Sequence, residues 1–417
     1  MKKLTLLLLL LISGSGMAQE ISELVIQDNK KTRESFIKRL VKVKEGMPLD
    51  SLKAEADIAR LKRLPGIAHA YYQVYPNEDG TYKLVYGVEE NFTIIPSAQV
   101  YTTNDDEFAY RLGLYEFNGL GRNITFGGFF QRDIYNSFGI NFKAPYLFTN
   151  KLGLALNYQD LTTQEPVFFN NTSADYKYNN RSMEALLLYE LTFNHWFEGG
   201  INYFTETYEY KSGATDPAVP QNLEVKKLLY KFLYQYNKVD VYYQYVDGFK
   251  STLNFQYVTS TDDTLPEFLI WWNDFIYYKR IGERGNWASR LRIGLASNDE
   301  SPFAPFSVDN NLNIRGVGNT IDRGTGAIVL NTEYRHTIYE KNWFVLQGNA
   351  FIDAGSWRNP GGDFGDFSDS QNLRVYPGLG VRFIHKRIFN TVFRIDYGHG
   401  ITDDATRGFV FGVGQYF

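Results

Sequence analysis

The sequence predicts a mainly β protein, a 16-stranded transmembrane antiparallel β-barrel preceded by one small α+β domain. Three observations predict it. From residue 94 onward the chain alternates with a period of two, about 16 candidate strands fit into residues 94–417, and the last of them finishes on Tyr416-Phe417. The texture before residue 94 is different, with two short helical patterns among three strands.

Composition narrows the classes. The chain has 417 residues, with 31 Tyr, 32 Phe and 6 Trp making up 17% of it, yet its mean hydropathy is −0.34. Beyond the N-terminus no apolar run approaches the roughly 18 residues of a spanning helix, which excludes a helical membrane protein. So many aromatics also exclude a disordered chain. There is no cysteine, so disulfide scaffolds, thiolate metal sites and thiol catalysis are excluded. Without the two lysines of Met1–Ala18, 41 basic and 47 acidic side chains remain, an acidic balance that does not suit a nucleic-acid binder.

Met1-Lys2-Lys3 is a basic start, Leu4–Ile12 an apolar run and Ser13–Ala18 a small-residue stretch. This is the layout of a secretory signal peptide cleaved after Ala18, because nine apolar residues reach only about 14 Å and cannot span a bilayer. No cysteine follows, so lipid anchoring is not expected.

Residues 19–93 read as β-α-α-β-β. Leu24-Val25-Ile26 is a strand and Asp28-Asn29 a turn. Thr32–Val41 has a helical pattern with Phe36, Ile37, Leu40 and Val41 on one face and Thr32 as N-cap. Gly46 and Pro48 break it. A second helix is expected from an Asp50 N-cap, with Leu52, Ala56, Ala59 and Leu64 as its apolar stripe and Pro65-Gly66 as its stop. Strands Ala70–Tyr75 and Tyr82–Glu89 follow, joined by a turn at Asn77–Gly80. This order, with "RLPGIAHAYYQVYP" and "GTYKLVYGVEEN" closing it, resembles a POTRA (polypeptide-transport-associated) domain. The resemblance implies a periplasmic domain that pairs incoming chains against strand edges, where N–H and C=O groups are free.

In the barrel region, Ile328, Leu330, Tyr334 and Ile338 interleave with Asn331, Glu333 and Arg335. Phe344, Leu346, Ala350, Ile352 and Ala354 interleave with Gln347, Asn349 and Asp353, and Phe393, Ile395 and Tyr397 with Arg394 and Asp396. A soluble sandwich also alternates. What separates the two is the number of strands, about 20 residues per strand and connection, and the aromatic wealth expected of an outer-membrane barrel. The final strand, Gly408–Phe417, is expected to pair with Ile95–Thr103 to close the barrel. Gly412 and Gly414 either kink that seam or make room for packing.

A charge inside a lumen needs a partner. A long loop at about 298–325 carries Leu312-Asn313-Ile314-Arg315-Gly316-Val317-Gly318, followed by Glu333 on one polar strand face and by Phe351-Ile352-Asp353-Ala354-Gly355 on the next. An arginine at the loop tip is suited to a bidentate pair with Asp353, with glycines on either side permitting close approach. "NIRGVG", "LNTEYR" and "FIDAGSW" resemble the sixth-loop tip and the twelfth and thirteenth strands of the BamA/TamA-type bacterial surface antigen superfamily. Phe117–Arg122 and Ala144–Phe148 resemble its periplasmic turns. The resemblance implies a tip of Ile314, Arg315, Gly316 and Val317, acceptor acids Asp353 and Glu333, a strand motif at Gly355, and a sorting signal and seam at Gly412, Gly414, Tyr416 and Phe417. Val317 departs from the usual Phe or Tyr, which implies a more weakly packed tip.

The family resemblance implies insertion of β-barrel proteins into the outer membrane or translocation of chains across it. Implied partners are unfolded outer-membrane or secreted clients, outer-membrane lipids and accessory lipoproteins, with no nucleic acid. The rival reading is a passive pore or accessory subunit, for which an open lumen rather than a plugged one is expected. An enzyme is unsupported: His69, His195, His336, His385 and His399 form no metal or triad spacing, and no Gly-x-Ser-x-Gly occurs in the mature chain. No cofactor and no metal are expected. Asp262-Asp263 and Asp403-Asp404 read as solvated loop charges.

Overall fold

The computed structural model describes residues 20–102, 108–169, 172–217, 219–261, 267–298, 304–308, 313–317, 322–403 and 405–417. The expected signal peptide, the acids Asp262, Asp263 and Asp404, and Leu312 and Gly318 lie outside the described residues. The chain divides into two units, residues 1–91 with 120–122, and 92–119 with 123–417.

The small unit contains β1 (Ile21–Gln27), α1 (Glu34–Leu40), α2 (Ser51–Lys62), β2 (Ile67–Pro76) and β3 (Tyr82–Glu90). β3 is central, parallel to β1 and antiparallel to β2. Its run Leu84–Val88 is buried, together with Ile21, Leu24, Phe36, Ile37, Leu40 and Leu61.

Two expectations fail here. Thr32 does not cap α1: the N-cap is Arg33 with no side-chain bond, and Thr32 instead donates its backbone N–H to Glu90. The stripe assigned to α2 is also displaced. Asp50 does cap it, accepting from the Lys53 N–H, but Leu52 is 78% exposed and the buried face is Ala54, Asp57 and Leu61. An acid at the centre of the inward face hid that face from a hydrophobic pattern. Asp57 is needed there because the chain between the helices turns inward and leaves N–H groups to be satisfied. Its carboxylate accepts from Lys42 N (2.7 and 2.9 Å), Val43 N (2.9 Å) and the Tyr86 hydroxyl (3.1 Å).

The second unit is one antiparallel sheet of sixteen strands. They are β4 (Ile94–Thr102), β5 (Phe108–Gly119), β6 (Ile124–Arg132), β7 (Asn136–Ala144), β8 (Leu152–Phe169), β9 (Thr172–Thr192), β10 (His195–Gly213), β11 (Asn222–Tyr242), β12 (Tyr245–Ser260), β13 (Phe268–Ile281) and β14 (Gly285–Ala296). A short ribbon, β15 (Phe306–Val308) with β16 (Asp322–Gly324), follows inside the stretch expected to be irregular. The sheet resumes with β17 (Gly326–Lys341), β18 (Phe344–Arg358), β19 (Leu373–His385), β20 (Val392–His399) and β21 (Arg407–Val413). Short turns such as Phe193-Asn194, Tyr243-Gln244 and Asn342-Trp343 lie at one end, and the long connections at the other.

Alternation does the sorting. On β9, Met183, Leu187 and Leu191 point outward and are 65%, 56% and 45% exposed, while Ser182, Leu186, Leu188 and Glu190 are buried. Nearer the start of the strand the outward positions become Lys177, Asn179 and Arg181, so the apolar belt stops and a polar extension begins. Inward charges are paired, as in Lys227–Glu206 (2.6 Å), Lys231–Glu184 (3.0 Å) and Arg292–Asp274 (2.7 Å).

The wall is uneven. β9 and β11 have 21 residues each, whereas β20 has 8 and β21 has 7. The last strand therefore ends at Val413, not Phe417. Gly414, at φ +93°, turns the chain out of the ladder in a conformation that side chains rarely adopt. No ladder joins β21 to β4 among the described residues, although the two lie side by side as the ends of the sheet. Phe92, just before β4, pairs across this gap with the β19–β20 turn: its N–H donates to Arg387 O (2.8 Å) and its O accepts from Phe389 N (3.0 Å).

Candidate functional site

The site is built by the loop between β14 and β17 and the inward faces of β17 to β20. Odd-numbered positions of β17 and β18 face inward, which brings Glu333, Arg335, Phe351 and Asp353 into the lumen, and all four are buried. Ile314-Arg315-Gly316-Val317 meets them there, and Arg315 is fully buried.

Each guanidinium nitrogen of Arg315, and its backbone N–H, donates to a carboxylate. Its Nε and Nη2 donate to Asp353 Oδ2 and Oδ1 (2.8 and 2.9 Å), and its backbone N–H also donates to Oδ2 (2.9 Å). Nη1 donates to Glu333 Oε2 at 2.6 Å and lies 3.7 Å from Asp396 Oδ1. The planar guanidinium fits the Asp353 carboxylate edge to edge, geometry that a lysine cannot copy. Its faces are used as well: Cζ lies 3.7 Å from the Phe351 ring centroid and 4.6 Å from that of Tyr416.

Small residues make the approach possible. Gly316 has φ +100°, and a Cβ there would stand 2.6 Å from Gly398 Cα on β20. At Gly355 a Cβ would meet Ile314 Cδ1 at 2.8 Å, so the missing side chain is the seat for Ile314. Ile314 and Val317 pack with Val308, Trp357 and Tyr376. Val317 is 1% exposed, so the expectation of a weakly packed tip is not met. Thr406, between β20 and β21, donates to Val317 O (2.8 Å), tying the tip to the connection that leads into the last strand.

Sequence reasoning singled out Arg315, Asp353 and Glu333, and the structure places them together. It assigned no site role to Asp396, Arg335, Arg382 or Arg394. Glu333 also receives Arg335 and, through both oxygens at 2.9 Å, Arg382; Arg394 lies 3.2 Å from Asp396. Their alternation marked them as inward-facing but not as sharing one layer. The tail departs further from expectation. Gly412 makes room for Arg394, whose Nη2 would lie 2.5 Å from a Cβ there. Gln415 accepts from Arg382 Nε (3.0 Å), the Tyr416 ring lies between Arg315 and Arg394, and the Phe417 ring lies 5.7 Å from both Arg290 and Arg335. These residues enter the lumen instead of extending the strand.

Residues 19–91 match the POTRA family, described as a surface antigen variable number repeat. No curated protein sequence matches significantly. Among solved structures the chain is similar to BamA from Haemophilus ducreyi lacking POTRA domains 1–3, at 16% identity and a TM-score of 0.56, covering 95% of this chain and 85% of that one. It is similar to CdiB from Acinetobacter baumannii (14% identity, TM-score 0.63, 95% and 74% covered) and to CdiB from Escherichia coli (12%, 0.61, 96% and 77%). The chain thus carries one POTRA domain, at residues 19–91, followed by a sixteen-stranded barrel with the fold shared by BamA and CdiB.

Proposed function

We propose that this chain is an outer-membrane assembly factor, which inserts or translocates client polypeptides through a lateral seam between its first and last barrel strands. The observation that carries the reading is the seam itself. β4 and β21 end the sheet side by side without a ladder, so each offers backbone N–H and C=O groups to an incoming strand. β21 rises about 24 Å at ~3.4 Å per residue and falls short of the roughly 9–11 residues a spanning strand needs, which weakens the wall at that point. The Phe92 pairing holds one end of the gap and leaves its length free.

In the POTRA domain, β1 and β2 are the edges of the sheet and supply the receiving strands. No nucleotide is required, because folding of the client releases the free energy. Outer-membrane lipids around the apolar belt and accessory lipoproteins complete the partners under this reading, with the POTRA domain in the periplasm. The rival, a passive pore, is disfavoured by the buried tip of Arg315 inside the barrel.

Conditional depletion followed by quantification of the outer-membrane proteome tests the proposal. A broad fall in barrel proteins means a general insertase, and loss of one or a few surface proteins means a dedicated translocator. An unchanged proteome overturns the reading in favour of the pore. Because the chain has no cysteine, a cysteine placed in β4 and another in β21 give a clean seam lock, whose oxidation is expected to abolish client handling reversibly.

A further inference from the structure

The inward face of the barrel is polar and charged around Arg315, but on the strands farther round it carries an apolar patch. Phe204 on β10, Leu229 on β11, Val258 on β12, and Phe268 and Ile270 on β13 form one cluster. They do not fill the space before them. Together with Ala304 and Pro305, which precede β15, they wall a cavity of about 320 Å³. That is roughly twice the ~150 Å³ of an apolar cavity that takes a benzene. Water is a poor occupant of such a space, because it needs polar partners on several sides.

The charges that reach the cavity cancel in pairs. Arg323 of β16 meets Glu165 of β8 at 2.8 Å, and Lys227 of β11 meets Glu206 of β10 at 2.6 Å. The remaining oxygens of these acids are engaged as well: Glu206 Oε1 accepts from the Tyr178 hydroxyl (2.6 Å) and Glu165 Oε1 from that of Thr163 (3.0 Å). Asn202 differs. It lines the same cavity, two residues from Phe204 on the same face of β10, and its Oδ1 is buried with no hydrogen-bond partner. An unpaired buried acceptor costs free energy that a donor placed beside it recovers. Paired charges disfavour an ion, apolar walls call for an apolar body, and Asn202 calls for one N–H or O–H.

We propose that this cavity is a binding site for a small neutral amphiphile, an aryl or alkyl body about twice the size of benzene, with one hydroxyl or N–H group that donates to Asn202 Oδ1. The cavity takes such a molecule whole, so its occupant is a free ligand and not a side chain carried on a polypeptide. Because Arg323 lines the cavity while bonded to Glu165, the ligand rests against the clasp that ties the β15–β16 ribbon to the barrel wall.

The test is equilibrium dialysis of the full chain in detergent, with matched detergent on both sides, against 2-naphthol, naphthalene (the same body without the hydroxyl) and N-acetyltyrosinamide (a phenol on a peptide unit). 2-Naphthol is expected to saturate one site per chain and to bind about tenfold or more tighter than naphthalene. N202L is expected to bring the two within about threefold of each other, and V258W, which fills the cavity, to weaken 2-naphthol about tenfold or more. A heat-dependent gel shift identifies the folded variants, and the comparison of compounds on the parent chain decides the matter if the variants do not fold. No saturable binding of 2-naphthol, equal binding of naphthalene, or parent-like binding by folded V258W overturns the proposal. N-acetyltyrosinamide binding as tightly as 2-naphthol would assign the cavity to a polypeptide side chain and overturns it too. No client enters the dialysis, so its outcome is independent of the depletion experiment.

Discussion

The POTRA domain and the barrel each bury a carboxylate at their centre, and the two use it differently. In the small domain, Asp57 sits in an apolar core and accepts from two backbone N–H groups and a phenol, all neutral donors close by in sequence or on the adjacent strand. In the barrel, Asp353 sits among charges and accepts from one guanidinium 38 residues away. The first carboxylate shapes its own loop. The second anchors a distant segment, and does so where apolar side chains point outward and polar ones inward. A polar interior with alternatives to each partner can release what it holds; an apolar core holding its own backbone has none.

The largest expected effect comes from breaking the distant anchor. R315A strands Asp353 and takes one of three guanidinium partners from Glu333, and D353N leaves Arg315 only Glu333 as a bonded acid; losing one member of a buried pair costs about 3–5 kcal/mol. Both variants are expected to expose residues 298–325 to protease while the barrel keeps its heat-dependent gel shift. Parent-like resistance in both would show that the loop is held by its apolar packing and not by the pair.

A smaller effect is expected at the local anchor. D57A leaves the Lys42 and Val43 N–H groups unsatisfied at about 1–3 kcal/mol, a loss confined to the small domain. Hydrogen exchange on the full chain should accelerate at Lys42 and Val43 and remain unchanged across β17 and β18. The Tyr86 phenol, which burial and the neighbouring Asp57 push far above the ordinary tyrosine range, should move back toward it. Faster exchange in the barrel as well would break the contrast between local and distant anchoring.

The smallest expected effect is a pH dependence. Burial raises the Glu90 carboxyl, but N–H groups of Lys30, Lys31 and Thr32 at 2.6–2.9 Å, with further bonding from Thr32, outweigh it and hold the group below the ordinary value. A depressed acid stabilises the folded form above the unfolded value of about 4.3 and loses that contribution as pH falls through its folded value. For a half-exposed group this amounts to ~1 kcal/mol or less. Exchange protection at residues 30–32 is therefore expected to be flat above about pH 5 and to decline below about pH 4. E90Q should be flat throughout; a decline in E90Q would assign the effect to another group.

The sequence alone determined a good deal. Period-two alternation set which side chains face the lumen, because a pleated strand leaves no other choice. Gly46, Pro48, Asp50 and Pro65-Gly66 bracketed the helices through the backbone angles they allow, and Arg315, Asp353 and Glu333 were legible because an arginine on a loop and acids on inward faces need one another. Only the tertiary structure decided depth and register. Alternation says that Asp396, Arg382 and Arg394 point inward, but not that they reach the same layer as Glu333, which depends on strand pairing across four strands. It decided Asp57 too, since a hydrophobic pattern cannot see an acid that belongs inside. It also decided the tail: the sequence reads Gly408–Phe417 as one strand, whereas the turn at Gly414 takes Tyr416 and Phe417 out of the ladder and onto the faces of Arg394 and Arg335. Faces follow from local geometry, whereas a charge's partner depends on which strands the whole sheet brings together.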